Sequence, residues 1–289
     1  MVMKFKSPYI RVLKLRMSSF LVISVGLGYY YAQPSGLGFL HLLWTLLGSG
    51  LLAFSCFAIN QVLEVEYDKQ MPRTEQRPLP QGEISKKEVW WMGSLFFFLG
   101  TGLLYFKINM LAAFFGASIV LTYCFLYTPF KRISHLNTLI GTIPGALPPL
   151  IGWAAVRDSI GMGAIVMFVI LLFWQLPHFL AIAWLYRKDY SQANFSMLSV
   201  VDPTGKSVFR QIVFQTVLLI LSSFVPFLLG IAGKLYLVVA LVSGLAFLGA
   251  GLVLKKTESN RAAWWVFILS LVYLILILLF LIVDNRVVY

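Results

Sequence analysis

The chain has 289 residues, 60% of them hydrophobic and only 12% charged, against roughly 45–50% apolar and about 25% charged in soluble domains. With a mean hydropathy of +0.85 and apolar runs of about 20 residues along its whole length, it is excluded from the water-soluble globules. The formal net charge of +12 would raise nucleic acid as a partner of a soluble protein; in a membrane protein Lys and Arg collect on the cytoplasmic side, so no nucleic acid is expected.

The expected fold is an all-α integral membrane bundle, one polytopic domain over 1–289. A basic segment, Lys4 to Arg16, precedes the first apolar run. That run is long and has no small-residue cleavage site, so it reads as a retained first helix rather than a signal peptide. Nine transmembrane helices are predicted, at about 15–32, 38–63, 90–106, 109–128, 137–156, 162–185, 210–230, 236–254 and 263–283, each long enough for roughly 30 Å of hydrocarbon. With nine spans, Lys107, Arg157, Lys234 and Arg286 fall on one side and the other nineteen of the 23 bases on the opposite one. That asymmetry predicts a cytoplasmic N-terminus and an external C-terminus.

Two cytoplasmic connections are long, about 69–89 and about 187–209. They lie four spans apart, which hints at a duplicated four-helix unit without a strong sequence repeat. Cys56 and Cys124 lie in apolar stretches with no partner at metal-ligand spacing and read as small core residues.

The second span ends in Asn60, Glu64 and Asp68. On a helix the i, i+4, i+8 spacing stacks three oxygen-bearing side chains on one stripe, a donor set that suits Mg²⁺, which also takes phosphate oxygens and water. An ordinary polar helix end is the alternative. Two facts weigh against it: six of the eleven acids fall between Glu64 and Glu88 with five bases interleaved, and Asn60 sits about two turns deeper than Asp68, where polar groups are costly and usually functional. Arg73 and Arg77 follow between Pro72 and Pro78, which prevent one continuous helix. Their guanidinium forks match phosphate oxygens; topology retention is the other reading, and it suits Lys86 and Lys87 better.

The fourth span closes with Tyr127-Thr-Pro-Phe-Lys131-Arg132 and the fifth opens at Asn137. Lys131 and Arg132 either add charge to a diphosphate pocket or hold topology. The fifth span holds Gly141, Pro144, Gly145, Pro148, Pro149 and Gly152 and is expected to be irregular, as tolerated where other helices bury it or it lines a cavity. The sixth carries Pro177 and His178, then Tyr186-Arg187-Lys188-Asp189. An intramembrane His is a functional candidate; the alternative is a His bonded to a carbonyl freed at a proline kink. Asp189 is the expected second-half counterpart of the acidic stripe, with Arg187 and Lys188 beside it for phosphate.

These residues resemble the intramembrane aromatic prenyltransferases of the UbiA superfamily, whose pattern is Asn-x3-Asp-x3-Asp in the first long loop region and an Asp-rich motif in the second. Asn60, Glu64, Asp68 and then Asp189 stand at those places, with Glu64 replacing the middle Asp. Ala193 stands where quinone-type members carry a second acid. The heme-modifying branch is matched by Met71-Pro-Arg73-Thr-Glu-Gln-Arg77-Pro-Leu, by Tyr127-Thr-Pro-Phe-Lys131-Arg132 with Asn137, by Gly145-Ala-Leu-Pro-Pro-Leu-Ile-Gly-Trp153, and by Trp174-Gln-Leu-Pro-His178-Phe with Asp189-Tyr190.

The resemblance implies a helical bundle with a central cavity open to the cytoplasmic side, in a bacterial inner membrane. It implies Mg²⁺ as cofactor and transfer of a farnesyl group from farnesyl diphosphate to a vinyl carbon of heme B, giving heme O for terminal oxidases. On this reading Asn60, Glu64, Asp68 and Asp189 are the catalytic and metal-binding residues, Arg73, Arg77, Lys131, Arg132 and Lys188 bind diphosphate, and His178, Tyr127, Asn137 and Tyr186 line the heme pocket. Heme A synthase or oxidase assembly proteins are the expected protein partners. The competing readings are a prenyltransferase acting on an aromatic acid or quinone precursor and a non-enzymatic transporter.

Overall fold

A computed structural model describes residues 7–32 and 36–286; the bases Lys4 and Lys6 of the N-terminal segment lie outside them. The described chain is helical, apart from one isolated bridge between Ala232 and Asn285. In order the helices are α1 (Pro8–Val12), α2 (Leu15–Tyr31), α3 (Phe39–Asp68), α4 (Lys86–Lys107) and α5 (Met110–Leu121), then a π-helical turn (Thr122–Tyr127). There follow α6 (Thr128–Ile133), α7 (Asn137–Ala146), α8 (Pro148–Arg157), α9 (Met162–Leu185), α10 (Arg187–Gln192), α11 (Leu198–Val201), α12 (Lys206–Leu228), α13 (Lys234–Thr257) and α14 (Asn260–Val283).

Among the described residues eight helical segments are long and apolar enough to cross a membrane, which makes the chain an integral membrane protein. The first expected span, α2, has 17 residues, about 25 Å of helix and the lower limit for a crossing. The 30 residues of α3 reach about 45 Å, longer than a crossing needs, and its C-terminal turns carry the acidic stripe.

Two expected boundaries move. The first long connection is 69–85, because Ser85 and Glu88 form a reciprocal capping box that starts α4 at Lys86. The second is not an open loop: it contains α10 and α11 and ends where α12 begins at Lys206. The fifth span is irregular, as its Gly and Pro content predicts, and breaks at Leu147 between α7 and α8. Pro177 lies inside α9, which nevertheless runs unbroken through it. Both cysteines are buried and unbridged, and the Cys124 thiol donates to the Cys56 carbonyl at 3.4 Å.

The helices form two compact units interleaved along the sequence, residues 1–130 with 147–160 and 192–194, and residues 131–146 with 161–191 and 195–289. The division does not fall between equal four-span halves, because the first unit takes α8 from the middle of the chain. Within that unit α3 packs on α2, α4 and α5, and α8 packs on α2 and α5. Within the second unit α9 packs on α7, α12 and α14, and α13 packs on α12 and α14.

The α2–α8 contact is made backbone to backbone. A Cβ at Gly28 would overlap the Pro149 carbonyl, and one at Gly152 would overlap the Val25 carbonyl. Small residues permit such approach where lipid removes the hydrophobic drive between helices and van der Waals contact must hold them. Phe39, Phe98, Phe106 and Leu228 are meanwhile at least 71% exposed, the surface that lipid covers.

Gly152→Ala and Gly28→Ala are each expected to lower stability by about 1–3 kcal/mol, read from thermal unfolding in detergent through the reactivity of the two buried cysteines. Gly102→Ala, where an added methyl meets open space, serves as the control. Melting of the Gly152 variant together with that control would show that the two helices are not in backbone contact.

Candidate active site

The acidic stripe is buried. Asn60, Glu64 and Asp68 are 2%, 5% and 1% exposed, and carboxylates removed from water require compensation from partners. Asp68 receives it from Arg77, whose Nη1 donates to Oδ2 at 2.6 Å. Its other oxygen, Oδ1, is buried without a hydrogen-bond partner.

Asn60 is oriented from behind. The Thr128 hydroxyl donates to the Tyr123 carbonyl of the π-helical turn at 2.9 Å and accepts from Asn60 Nδ2 at 3.0 Å. With the nitrogen committed, the amide oxygen is the donor atom that Asn60 has left for a cation. Two carboxylates and an amide oxygen, one carboxylate oxygen having no other partner, fit a hard cation that completes its shell with water and phosphate. Among the described residues no group of three His, Cys, Asp or Glu side chains is placed to hold a metal ion by itself.

The 69–85 connection is folded under the end of α3 rather than extended into water. Leu79 and Ile84 join Val12, Ala58, Val65 and Val89 in one buried cluster, and the Thr74 hydroxyl donates to the Asp68 carbonyl at 2.9 Å. This fold separates the two arginines: Arg77 is half-buried against Asp68 while Arg73 stands at the surface. Three of the neighbouring acids have structural uses. Glu66 pairs with Lys69 and Lys86, Glu83 with Arg11, and Glu88 caps α4. Tyr127 ends the π-helical turn, half-buried, its ring 5.2 Å from that of Tyr123.

The remaining expected residues lie in the second unit. Lys131 and Arg132 end α6, and their carbonyls accept from the Ser196 N–H at 2.8 Å and hydroxyl at 2.9 Å. Asn137, expected in a substrate pocket, is fully buried. Its amide donates to Ser134 O at 2.7 Å and Ser196 O at 3.0 Å and accepts from Thr138 at 3.2 Å. It braces the start of α7 against the segment after α10.

Arg187 is engaged by its neighbours. It lies 4.1 Å over the Trp184 ring and donates to Trp184 O and Asn260 Oδ1. Lys188 is exposed and Asp189 half-buried in α10, and Tyr186 caps the end of α9, 41% exposed.

His178 is buried between the Trp174 and Phe267 rings, with centroids at 5.0 and 5.1 Å. Its partner is not a carbonyl freed by Pro177 but the Ser270 hydroxyl, 2.7 Å from Nδ1. Ser270 spends its one hydrogen on Phe267 O. Nδ1 must therefore carry the imidazole proton, and Nε2 holds the lone pair. Thr74, Thr128 and Ser270 went unnoticed in the sequence, because a short hydroxyl residue leaves no periodic or charge signal.

A profile of the UbiA prenyltransferase family matches residues 21–282. A protoheme IX farnesyltransferase of Solibacter usitatus (strain Ellin6076) is 40% identical over 286 residues, covering 96% of this chain and 98% of that one. The protein of the same name from Salinibacter ruber (strain DSM 13855 / M31) is 40% identical over 276 residues, with the same coverage. Among solved structures, a digeranylgeranylglyceryl phosphate synthase superposes with a TM-score of 0.81 at 20% identity, over 96% of this chain and 97% of that one. A UbiA homologue from Archaeoglobus fulgidus bound to DMAPP and Mg²⁺ gives 0.66 at 15% identity, over 95% and 99%. At these identities the two structures speak for the fold alone.

Arg77→Ala strands the Asp68 carboxylate and is expected to cost about 3–5 kcal/mol, whereas Arg73→Ala at the surface is expected to stay within about 0.5 kcal/mol of wild type. Adding Asp68→Asn to Arg77→Ala should recover part of the loss. Equal melting of the two arginine variants would remove the ion pair as the support of this site.

Proposed function

The chain belongs to the UbiA prenyltransferase family, and from that membership we propose that it transfers the farnesyl group of farnesyl diphosphate to heme B, giving heme O and diphosphate. The observation that carries this reading is 40% identity over nearly the whole length to proteins named protoheme IX farnesyltransferase. The buried Asn60–Glu64–Asp68 stripe supports it with a donor set suited to a diphosphate-bound cation. A quinone-type acceptor is disfavoured by Ala193, which is fully buried where a second acid would stand.

In the reaction the allylic C–O bond of farnesyl diphosphate breaks and its electron pair leaves with diphosphate. The π electrons of the heme vinyl group form the new C–C bond, and water captures the resulting cation, releasing a proton to solvent. Mg²⁺, held by Asn60, Glu64, Asp68 and Asp189, would neutralise the charge that builds on the departing diphosphate. Arg73, Lys131, Arg132 and Lys188 are proposed to hold the same anion. Arg77 serves it through the N–H groups not spent on Asp68, since a guanidinium carries five. The allylic cation would need apolar and aromatic surroundings that exclude water until the C–C bond has formed.

For heme we propose a pocket contributed to by His178, Tyr127 and Tyr186, with the Nε2 lone pair of His178 as its basic atom. The topology proposed is one catalytic domain with nine spans, α2 included, N-terminus in the cytoplasm and C-terminus outside. The cavity then opens to the cytoplasm of a bacterial inner membrane, where heme A synthase or oxidase assembly proteins would take the product. The distribution of Lys and Arg supports that orientation.

The test is purified protein with heme B, farnesyl diphosphate and Mg²⁺, with pigments resolved by mass. Heme O is expected, and EDTA should abolish its formation. Asp68→Asn, with its melting temperature checked, is expected to lower kcat at least about 100-fold, while Glu64→Asp keeps a carboxylate and should remain active. Unaltered heme B alongside unconsumed farnesyl diphosphate would overturn the assignment.

A further inference from the structure

A cavity of about 290 Å³ opens where α12 begins and α13 ends, lined by Lys206, Ser207, Phe209, Arg210, Lys255 and Glu258. Three cations thus face one acid. Among the described residues none of the three lies within ion-pair distance of a carboxylate.

Two of them stand at the unfavourable end of a helix. Lys206 is the first residue of α12 and Arg210 lies one turn on, where the unsatisfied N–H groups already place partial positive charge. The first turn carries no acid. Asp202 is close in sequence, but its carboxylate is spent as a cap, accepting from the Thr204 hydroxyl and N–H and from the Ser207 N–H. Those bonds hold the Asp202 carboxyl down to about 2. Topology retention does not require bases to converge on a cavity; Lys256 and Arg261, nearby in sequence, do not line it.

The charge also continues into an apolar face. Arg210, Phe214 and Leu221 share one side of α12, and Phe214 and Leu221 are 53% and 55% exposed. On α13, Leu252 and Leu245 lie on the face of Lys255 and are 49% and 54% exposed. A ligand that satisfies both parts has a phosphate at one end and hydrocarbon at the other.

We propose that this cavity is a binding site for the headgroup phosphate of an anionic phospholipid, whose acyl chains lie along the exposed face of α12 and α13. None of the residues assigned above to prenyl transfer lines this cavity, and the proposal does not depend on that reaction. Basic pockets at the ends of membrane helices take anionic headgroups through the same charge attraction.

The test uses the full chain in micelles doped with phosphatidylglycerol, phosphatidylcholine or inorganic diphosphate, read by native mass spectrometry and thermal unfolding. Phosphatidylglycerol is expected to bind at least about tenfold more tightly than phosphatidylcholine and to raise the melting temperature; any rise with inorganic diphosphate, which the proposed catalytic residues also bind, should be the same in the wild type and in the triple variant of Lys206, Arg210 and Lys255. Combined Lys206→Gln, Arg210→Gln and Lys255→Gln should abolish the preference, Lys255→Gln alone should weaken it, and Lys256→Gln with Arg261→Gln should leave it intact. A preference that survives the triple variant, or is lost equally in the double control, overturns the site. Stabilisation by inorganic diphosphate that is lost in the triple variant overturns the lipid as its occupant.

Discussion

The first unit is organised around a carboxylate taken out of water. Asp68 ends α3 almost fully buried, and a buried carboxylate survives only if charge and hydrogen bonds replace its hydration. Arg77 supplies the charge, and to bring Arg77 there the 69–85 connection has to double back under the helix. The apolar cluster around Leu79 and Ile84 holds it in that position. One oxygen is still left without a partner. An unsatisfied buried oxygen is a cost to the protein alone, and it is the feature expected of a ligand position that a cation completes.

The second constraint is that lipid gives helices no hydrophobic reason to associate. The first unit meets it with glycine, letting α2 and α8 approach until only backbone separates them. The same break that ends α7 and starts α8 at Leu147 lets one expected span contribute to both units. In the second unit polar groups lock the packing. Trp174 and His178 reach across to Ser270 of α14, and Asn137 ties α7 to Ser196. These bonds are worth making inside a membrane because no water competes for the groups.

Particular residues show how far the sequence could be read. The i, i+4, i+8 stripe of Asn60, Glu64 and Asp68 was legible because helical periodicity alone puts them on one face. The capping signal at Ser85 and Glu88 was present too, and would have placed the start of α4 four residues earlier than hydropathy does. The bonds that Arg77, Arg187 and Asn137 make within the protein were not legible. Each has the residue type and spacing of a ligand contact, and only the position of Asp68, Trp184 or Ser196 in space shows which partners it already holds.

The sequence by itself determined that the chain is helical, lives in a membrane and carries an oxygen-rich stripe beside a cluster of bases, since these follow from composition and from the 3.6-residue period. Only the tertiary structure decided which base neutralises which acid, which histidine nitrogen bears the proton, and which bases converge on a cavity. Those outcomes depend on residues tens of positions apart being brought together, His178 onto Ser270 and Lys206 and Lys255 onto one cavity, where charge and hydrogen-bonding capacity are shared out by proximity rather than by order along the chain.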